Sequence, residues 1–356
     1  MDINKIIFRT PWNSQVRVLS KLWLDKNENN DSYLEKVHKS ILKKIKLNDI
    51  TAYPDLTDTY KQVSKFLKLN KKKIYLTSGS DLAIKAIFET LVLPEDKVLI
   101  TNPTYAMYGI YCELFNAKKI LINYEFSLKQ PHLKVNEIIS AIKNHKPKLI
   151  CIPNPDSPTG QVISNGNIKK IINLAKKNRG FVLIDEAYYL FYKKSLINSI
   201  NQFSNLIVIR SASKAMGIAG LRVGIVISNP SLILKIFMHK PMYEISSVGS
   251  FFIKEIIKPK NYKVIKNSVN RLLEGKRIFI SYLKKKKLKY FYSYGNFIHV
   301  NFGKLKSRIT TRLQKYIYFR LDESHPSLKG YSRISLTTEK NFKFIIKIIE
   351  NCYSKK

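Results

Sequence analysis

The chain has 356 residues, 45% of them hydrophobic, which is enough for one large domain with a sizeable core and a smaller second domain. No run of about 18 apolar residues occurs, so no membrane-spanning helix is predicted, and the opening segment MDINKIIFRT lacks the long apolar stretch of a signal peptide. The three cysteines, Cys112, Cys151 and Cys352, are odd in number and without paired spacing, which indicates a protein of the reducing cytoplasm.

The formal net charge is +38, from 63 basic and 25 acidic residues. Such an excess is compatible with binding to nucleic acid or to an acidic membrane. However, the lysines are spread along the whole chain, isoleucine and asparagine are abundant as in products of AT-rich genes, and no compact basic arm or RNA-binding motif occurs. We therefore expect no nucleic-acid partner and keep a basic nucleic-acid-binding protein as a distant alternative.

Through the middle of the chain, short apolar strands alternate with helical patterns. In chain order the predicted elements are a helix over Asp81–Leu91, strands KVLIT from Lys97 and KLICIP from Lys148, a helix over Asn167–Lys177, and strands FVLID from Phe181, LIVIR from Leu206 and RVGIVIS from Arg222. This alternation predicts a largely parallel sheet with helices on both faces.

After SNPSLILKIF the pattern changes. A long helical region is predicted from about Ser247 to Lys284, with Gly275 as its only interruption and the KKKK run as its solvated end. A strand in NFIHVNF, a helix, a strand in SRISLTT and a last helix follow. We therefore predict an α/β protein with a large domain over residues 45–245 and a smaller α+β domain from residues 1–44 and 246–356.

Polar residues follow several predicted strands. Asp185 ends FVLID, with Tyr188 three residues later; Tyr105 follows KVLIT in ITNPTYAMY; and RSASK leads to Lys214. A Gly-Ser turn precedes a helix in YLTSGSDLAIK, which suits an anion at the helix N-terminus, and CIPNPDSPTG forms a turn after another strand. Each feature alone has an ordinary structural explanation, but ligands of open α/β sheets bind at the carboxyl ends of the strands. The combination predicts a binding site.

The order of these motifs resembles that of fold-type I pyridoxal-phosphate enzymes of the class I/II aminotransferase family. SASKAMGIAGLRVG resembles the segment that carries the family's cofactor-binding lysine, PDSPTG its Asn-Pro-Thr-Gly turn, and DEAY its Asp-x-x-Tyr segment. The resemblance implies the PLP-dependent transferase fold (aspartate aminotransferase-like), pyridoxal 5'-phosphate as cofactor, and Lys214 as the residue joined to its aldehyde. Because a lysine must be neutral to attack an aldehyde, the crowded, apolar neighbourhood of Lys214 favours this role.

The same resemblance implies roles for other residues. Asp185 would keep the cofactor's ring nitrogen protonated, Tyr188 would hydrogen-bond its ring oxygen, and Tyr105 would stack on its face. The phosphate would be held by Ser80, Asp81, Ser211, Ser213 and Arg222. Ser157 stands where the family has an asparagine before Pro-Thr-Gly, so either Ser157 or Asn154 would contact the ring oxygen. No metal site is expected.

Four further segments resemble histidinol-phosphate aminotransferases: WLDKNEN, AYPD, PMYEISS and SRISLTTEKN. The resemblance implies a homodimer in which Tyr53 reaches the cofactor phosphate of the partner subunit. It also implies a substrate site that includes Asn27, Tyr243 and Arg333, with Arg333 as the clamp for a substrate anion.

We therefore expect a cytoplasmic enzyme of histidine biosynthesis that transfers an amino group from histidinol phosphate to 2-oxoglutarate, with Lys214 moving the proton between the two reacting carbons. Four departures from the family pattern leave other substrates open. Besides Ser157, Leu82 occupies a usually acidic position, NENND lacks the proline that normally follows, and Thr-Thr replaces Gly-Thr after the strand of Arg333. The alternatives are a threonine-phosphate or serine-phosphate decarboxylase and an aminotransferase of a surface-polysaccharide locus.

Overall fold

The structure is a computed structural model that describes residues 16–126, 130–321 and 325–353. Its strands are β1 Leu22–Trp23, β2 Ile74–Thr77, β3 Lys97–Asn102, β4 Lys118–Asn123, β5 Glu125–Phe126, β6 Pro131–His132, β7 Leu149–Pro153, β8 Phe181–Asp185, β9 Leu206–Ser211, β10 Gly224–Ile227, β11 Lys289–Phe291, β12 Phe297–Asn301, β13 Ile317–Tyr318 and β14 Ser332–Ser335. Its α-helices are α1 Glu35–Leu42, α2 Asn48–Thr51, α3 Thr57–Leu67, α4 Gly79–Leu91, α5 Ala106–Leu114, α6 Val135–His145, α7 Asn165–Lys177, α8 Pro230–Phe237, α9 Ser247–Ile256, α10 Pro259–Lys285, α11 Lys306–Gln314 and α12 Glu339–Tyr353.

The large sheet contains seven strands in the order β2-β10-β9-β8-β7-β3-β4. Strand β10 runs antiparallel to its neighbours β2 and β9, and the remaining pairs are parallel. Both faces are covered: along β7, Leu149 and Cys151 pack into one apolar cluster, whereas Ile150 and Ile152 pack into another. Burial on both faces explains why the strands read as continuous apolar runs. The predicted α/β fold with a mostly parallel sheet is confirmed.

The register of this sheet brings the ends of its parallel strands to one edge. Pro153, the last residue of β7, lies opposite Asp185, the last residue of β8, and Asp185 lies opposite Ile209 near the end of β9. The loops that follow these strands carry the polar motifs found in the sequence. The sheet therefore collects residues that are far apart along the chain into one region.

A smaller antiparallel sheet is formed by β11, β12 and β14. Its buried side chains, such as Val300 and Ile334, share one apolar cluster with Phe279 of α10 and Phe342 of α12. The division of the chain at residues 45 and 245 remains a prediction, and the first 15 residues of the proposed small domain lie outside the described residues.

The prediction of one helical region from Ser247 to Lys284 was wrong about where the helix breaks. Helix α9 ends at Ile256, and α10 begins at Pro259 after an extended residue, Lys258 (ψ 139°). Proline is favoured at the first position of a helix, where its missing N–H costs no hydrogen bond. It also forces the preceding residue out of the helical conformation, so α9 cannot continue into α10. Gly275 does not interrupt α10, in which it is a buried residue.

In the part of the chain that the structure describes, no helix has both the length and the apolar character that crossing a bilayer requires. The three cysteines are buried and not joined in disulfides.

Candidate active site

A cavity of about 840 Å³ lies at the carboxyl edge of the large sheet. It brings together twelve of the residues that the sequence predicted: Asn27, Ser80, Asp81, Tyr105, Ser157, Asp185, Tyr188, Ser211, Ser213, Lys214, Arg222 and Arg333. Asn154, Tyr53 and Tyr243 do not line it. Among the described residues, no group of three or more His, Cys, Asp or Glu side chains is arranged to hold a metal ion.

Lys214 extends into this cavity from the loop after β9. Its Nζ donates a hydrogen bond to the carbonyl oxygen of Lys26 at 3.0 Å. Burial, assisted by the positive charge of Arg333, lowers the pKa of Lys214 to about 8. Since the neutral amine is the nucleophilic form, this environment suits attack on an aldehyde.

Asp185 is a buried carboxylate at the end of β8. Its oxygens accept hydrogen bonds from the Tyr108 hydroxyl at 3.1 Å and from the Ala187 N–H at 2.9 Å. Burial raises the pKa of Asp185 to about 6, so the group is still mainly ionised at neutral pH. Because both donors are neutral, a protonated ring nitrogen, as in the expected cofactor, would supply the cationic partner that this carboxylate accommodates.

Tyr188 lies beside Asp185 and is buried. Its hydroxyl oxygen accepts a hydrogen bond from Asn27 Nδ2 at 2.9 Å, and the side chain of Ser157 also hydrogen-bonds to it. Burial raises the pKa of Tyr188, so its phenol keeps its proton and can donate it to a ring oxygen.

The two candidates for the ring-oxygen contact differ in their surroundings. The amide of Asn154 is bound at both ends by one residue: Nδ2 donates to the Ile163 carbonyl at 3.1 Å, and Oδ1 accepts from the Ile163 N–H at 2.8 Å. Ser157 lines the cavity instead. The geometry therefore favours Ser157.

The N-terminus of α4 and Arg222 form the polar end of the cavity. Gly79 has a left-handed backbone (φ +83°) that other residues rarely adopt, and a Cβ at Gly224 would lie 2.5 Å from the Gly79 carbonyl carbon, so both positions require glycine. Arg222 Nη1 lies 3.5 Å from Ser213 Oγ, and Arg222 Nη2 lies 4.0 Å from Asp81 Oδ2. Helix N–H groups, a hydroxyl and a guanidinium fit the cofactor's phosphate.

Tyr105 and Ser211 complete the predicted cofactor contacts. The Tyr105 hydroxyl donates to Asp81 Oδ1 at 2.7 Å, which anchors the ring at the start of α5. Ser211 Oγ accepts from the Ser213 N–H at 3.2 Å. Stacking of Tyr105 on the cofactor stays a prediction.

Arg333 lies on β14, only 5% exposed, and its Nη2 donates to the Asp25 carbonyl at 3.1 Å. The sequence interpretation missed a second cavity arginine, Arg320, whose backbone pairs with that of Arg333. This backbone pairing joins segments that are not adjacent in the sequence. The neighbouring strand β13 has only two residues, so no strand pattern in the sequence marks this region.

Two other residues of the site were missed. Tyr108, which donates to Asp185, follows Tyr105 by three residues on α5, and this spacing was the available signal. Asp156 is buried and accepts from the hydroxyls of Thr101 at 3.2 Å and Thr104 at 3.0 Å. Burial raises the pKa of Asp156 to about 7. Its partners come from the end of β3 and the loop that follows it, so no local pattern revealed Asp156.

Tyr53 and Tyr243 lie together outside the cavity of this chain. Their rings stack with centroids 4.4 Å apart and planes 5° from parallel. Tyr53 is 79% exposed and Tyr243 is 42% exposed. Within one chain they therefore do not contribute to the site.

Comparison with known proteins agrees with this geometry. The family model "Aminotransferase class I and II" matches residues 20–349. A histidinol-phosphate aminotransferase of Caldanaerobacter subterraneus subsp. tengcongensis is 31% identical over 94% of this chain and 93% of its own. Two solved structures share the fold: a putative histidinol-phosphate aminotransferase of Erwinia carotovora atroseptica (TM-score 0.81, 20% identity, 93% of this chain and 95% of that one) and the histidinol-phosphate aminotransferase of Clostridium acetobutylicum (TM-score 0.78, 22% identity, 93% and 98%). With a matching family model over most of its length, the chain belongs to the class I and II aminotransferase family.

Proposed function

We propose that this protein is a pyridoxal 5'-phosphate-dependent aminotransferase that transfers the amino group of histidinol phosphate to 2-oxoglutarate. The observation that carries this proposal is the meeting of Lys214, Asp185 and Arg333 in one cavity. Family membership supports the cofactor, and the name shared by relatives about 30% identical over most of the chain supports the amine.

When bound, pyridoxal phosphate supplies an electron sink for the bond broken at the substrate carbon. Lys214 Nζ would hold the cofactor, and its amine is the group placed to move a proton at the substrate carbon. The Lys26 carbonyl, 3.0 Å from Nζ, positions the amine. Asp185, oriented by Tyr108 and Ala187, would keep the ring nitrogen protonated.

Arg333 recognises the substrate anion. Its planar guanidinium can form paired hydrogen bonds with a phosphate or with a carboxylate, so it serves first histidinol phosphate and then 2-oxoglutarate. Arg320 lines the same cavity and adds a second positive charge.

The active assembly in this proposal is a cytoplasmic homodimer. Tyr53 would complete the cofactor site of the partner subunit. Its high exposure and its absence from the cavity lining of its own chain support this role. The buried, free cysteines are compatible with a reducing compartment.

The proposal is tested by supplying the holoenzyme with histidinol phosphate, threonine phosphate or serine phosphate, each with and without 2-oxoglutarate. We expect glutamate to form only from histidinol phosphate together with 2-oxoglutarate, and K214A to form none. Carbon dioxide released from a phosphorylated amino acid would identify a decarboxylase instead. Glutamate from a different amine would leave the reaction correct and the substrate wrong.

A further inference from the structure

Three consecutive residues of the N-terminal segment, 25–27, which we call the strap, each hold a different group of the active site. The backbone carbonyl of Asp25 accepts a hydrogen bond from Arg333 Nη2 at 3.1 Å, and that of Lys26 accepts one from Lys214 Nζ at 3.0 Å. The third, Asn27, donates from its side chain to the Tyr188 hydroxyl at 2.9 Å. The strap therefore links the anion clamp, the nucleophile and the phenol.

Asn27 is held firmly in place. It is 3% exposed and has a left-handed backbone (φ 56°), which asparagine tolerates better than most residues. Its backbone N–H donates to Ser335 Oγ at 2.9 Å, and its carbonyl accepts from Asn296 Nδ2 at 2.8 Å. Both partners belong to the small antiparallel sheet or the loop beside it, so the position of Asn27 is set by that part of the protein.

The amide of Asn27 also has a fixed direction. Its Oδ1 accepts from Ser335 Oγ at 3.0 Å, which leaves Nδ2 facing Tyr188. An amide NH₂ group can only donate, so the Tyr188 oxygen must act as acceptor in this contact. The side chain of Ser157 also hydrogen-bonds to this hydroxyl, and because Ser157 lines the cavity, the hydroxyl proton of Tyr188 is left for the cavity side.

We propose that Asn27 is a positioning residue that directs the hydroxyl proton of Tyr188 toward the ring oxygen of the cofactor and ties this phenol to β14, the strand of Arg333. The inference rests on the proposed function, because it requires the cofactor in the cavity. It departs from the direct substrate contact expected from the sequence, because the amide oxygen of Asn27 and one of its two N–H donors are engaged by protein groups.

The test is a pH titration of the bound cofactor's absorbance in the holoenzyme, without any amine substrate. In N27D an acceptor replaces the donor, so the Tyr188 proton turns toward the new carboxylate and the deprotonated cofactor loses a hydrogen bond. We expect the titration midpoint to rise by about one pH unit or more. N30D is the matched control: it makes the same change three residues away, where the exposed Asn30 amide donates only to the Trp23 carbonyl. It should titrate like the wild type.

A second set of variants separates positioning from general loosening of the fold. S335A keeps Asn27 but removes the hydrogen bond that orients its amide, so the titration midpoint of S335A should also rise. N27A should raise the midpoint in the wild-type background and have little further effect in Y188F, because the two residues act through one hydrogen bond. Equal, additive shifts in both backgrounds would refute the inference.

The inference would also be refuted if N27D left the titration midpoint unchanged but raised the histidinol phosphate concentration needed for half-saturation. That result would show that Asn27 contacts the substrate. If the wild-type protein shows no cofactor absorbance band, the proposed function fails. If that band is present but the variants do not differ in their midpoints, only the inference about Asn27 fails. The two failures are therefore distinguishable.

Discussion

Lys214 shares its cavity with Arg222, Arg320 and Arg333, and its protonation depends on burial and on the charges of Arg222 and Arg333. Their positive charges add to the effect of burial in lowering the pKa of Lys214 to about 8. An exposed lysine, with a pKa near 10.4, would be almost entirely protonated at neutral pH. Here roughly a tenth of the amine is neutral at pH 7, which is enough for attack on an aldehyde.

This pKa predicts how the apoprotein captures its cofactor. A lowered lysine pKa means that the protonated, unreactive form dominates only below pH 8. The rate of capture should therefore rise about tenfold per pH unit up to pH 8 and then level off. Stopped-flow absorbance from pH 6 to 9.5 measures it, with Nα-acetyllysine as the reference amine whose rate should keep rising. A protein rate that also keeps rising would contradict the assigned pKa.

Arg333 offers a second test at this scale. R333K keeps the positive charge but loses the paired geometry, so we expect the cofactor to bind normally while both half-reactions need about 10- to 100-fold more substrate, equivalent to about 1.5–3 kcal/mol. Stopped-flow measurements with histidinol phosphate and with glutamate separate the two. If both apparent affinities stay at the wild-type value, the anion clamp lies elsewhere.

Among the elements, α10 shows how a tertiary contact reverses a local preference. Gly275 lies inside this 27-residue helix, where alanine would ordinarily add about 1 kcal/mol of helix stability. A Cβ at Gly275 would, however, lie 2.8 Å from the carbonyl carbon of Thr338 and closer still to the Thr337 carbonyl oxygen. Since these are backbone atoms, they cannot rotate away.

We therefore predict that G275A destabilises the protein by roughly 1–3 kcal/mol despite its better helix propensity. G109A is the matched control, because Gly109 lies in α5 with no atom within 4 Å of its Cβ position. It should leave the apoprotein's stability unchanged or raise it by up to about 1 kcal/mol. Denaturant unfolding of both apoproteins gives the comparison, and equal effects would show that α10 has room to move.

At the scale of the whole molecule, exposed apolar side chains occur in the two segments that carry the stacked rings of Tyr53 and Tyr243. Besides Tyr53, the side chains of Leu47, Ile50, Met238 and Met242 are each more than 60% exposed. Exposed clusters of this kind mark association surfaces in many proteins.

The proposed homodimer predicts complementation between two inactive variants. Y53A and K214A each spoil every site of their own homodimer, but a mixed dimer has one site in which both residues are intact. After subunit exchange of an equal mixture, roughly a quarter of the wild-type activity should return. Exchange is monitored by tagging one variant. Mixed dimers that form but remain inactive would argue against shared sites.

The net charge of +38 predicts a dependence on ionic strength. Among the residues that the structure describes, six cationic side chains line the cavity against three carboxylates: Lys26, Lys119, Lys214, Arg222, Arg320 and Arg333 against Glu28, Asp81 and Asp185. Raising ionic strength from about 10 mM to about 150 mM shortens the screening length from about 30 to about 8 Å. We expect kcat/KM for histidinol phosphate to fall about tenfold while kcat stays constant. A constant kcat/KM would show that the basic surface does not steer the substrate.

Residue order along the chain, together with the family resemblance, was sufficient to predict the architecture and twelve of the residues that line the cavity. Apolar runs of strand length predicted a sheet buried on both faces, and polar residues directly after those runs were predicted to meet at one edge. Both inferences depend on periodicity and on the rule that parallel strands end together, so they need no knowledge of distant contacts. Asp185 and Lys214 could be named on that basis and on the family resemblance.

Only the tertiary structure decided which atoms face one another. Asn27 and Tyr188 are far apart in sequence, and whether Asn27 meets a substrate or a phenol depends on how Ser335 orients its amide. Asn154 and Ser157 lie in the same turn, yet Ile163 binds the first while the second faces the cavity. Hydrogen-bond direction and burial arise from long-range packing, and a local pattern does not contain that information.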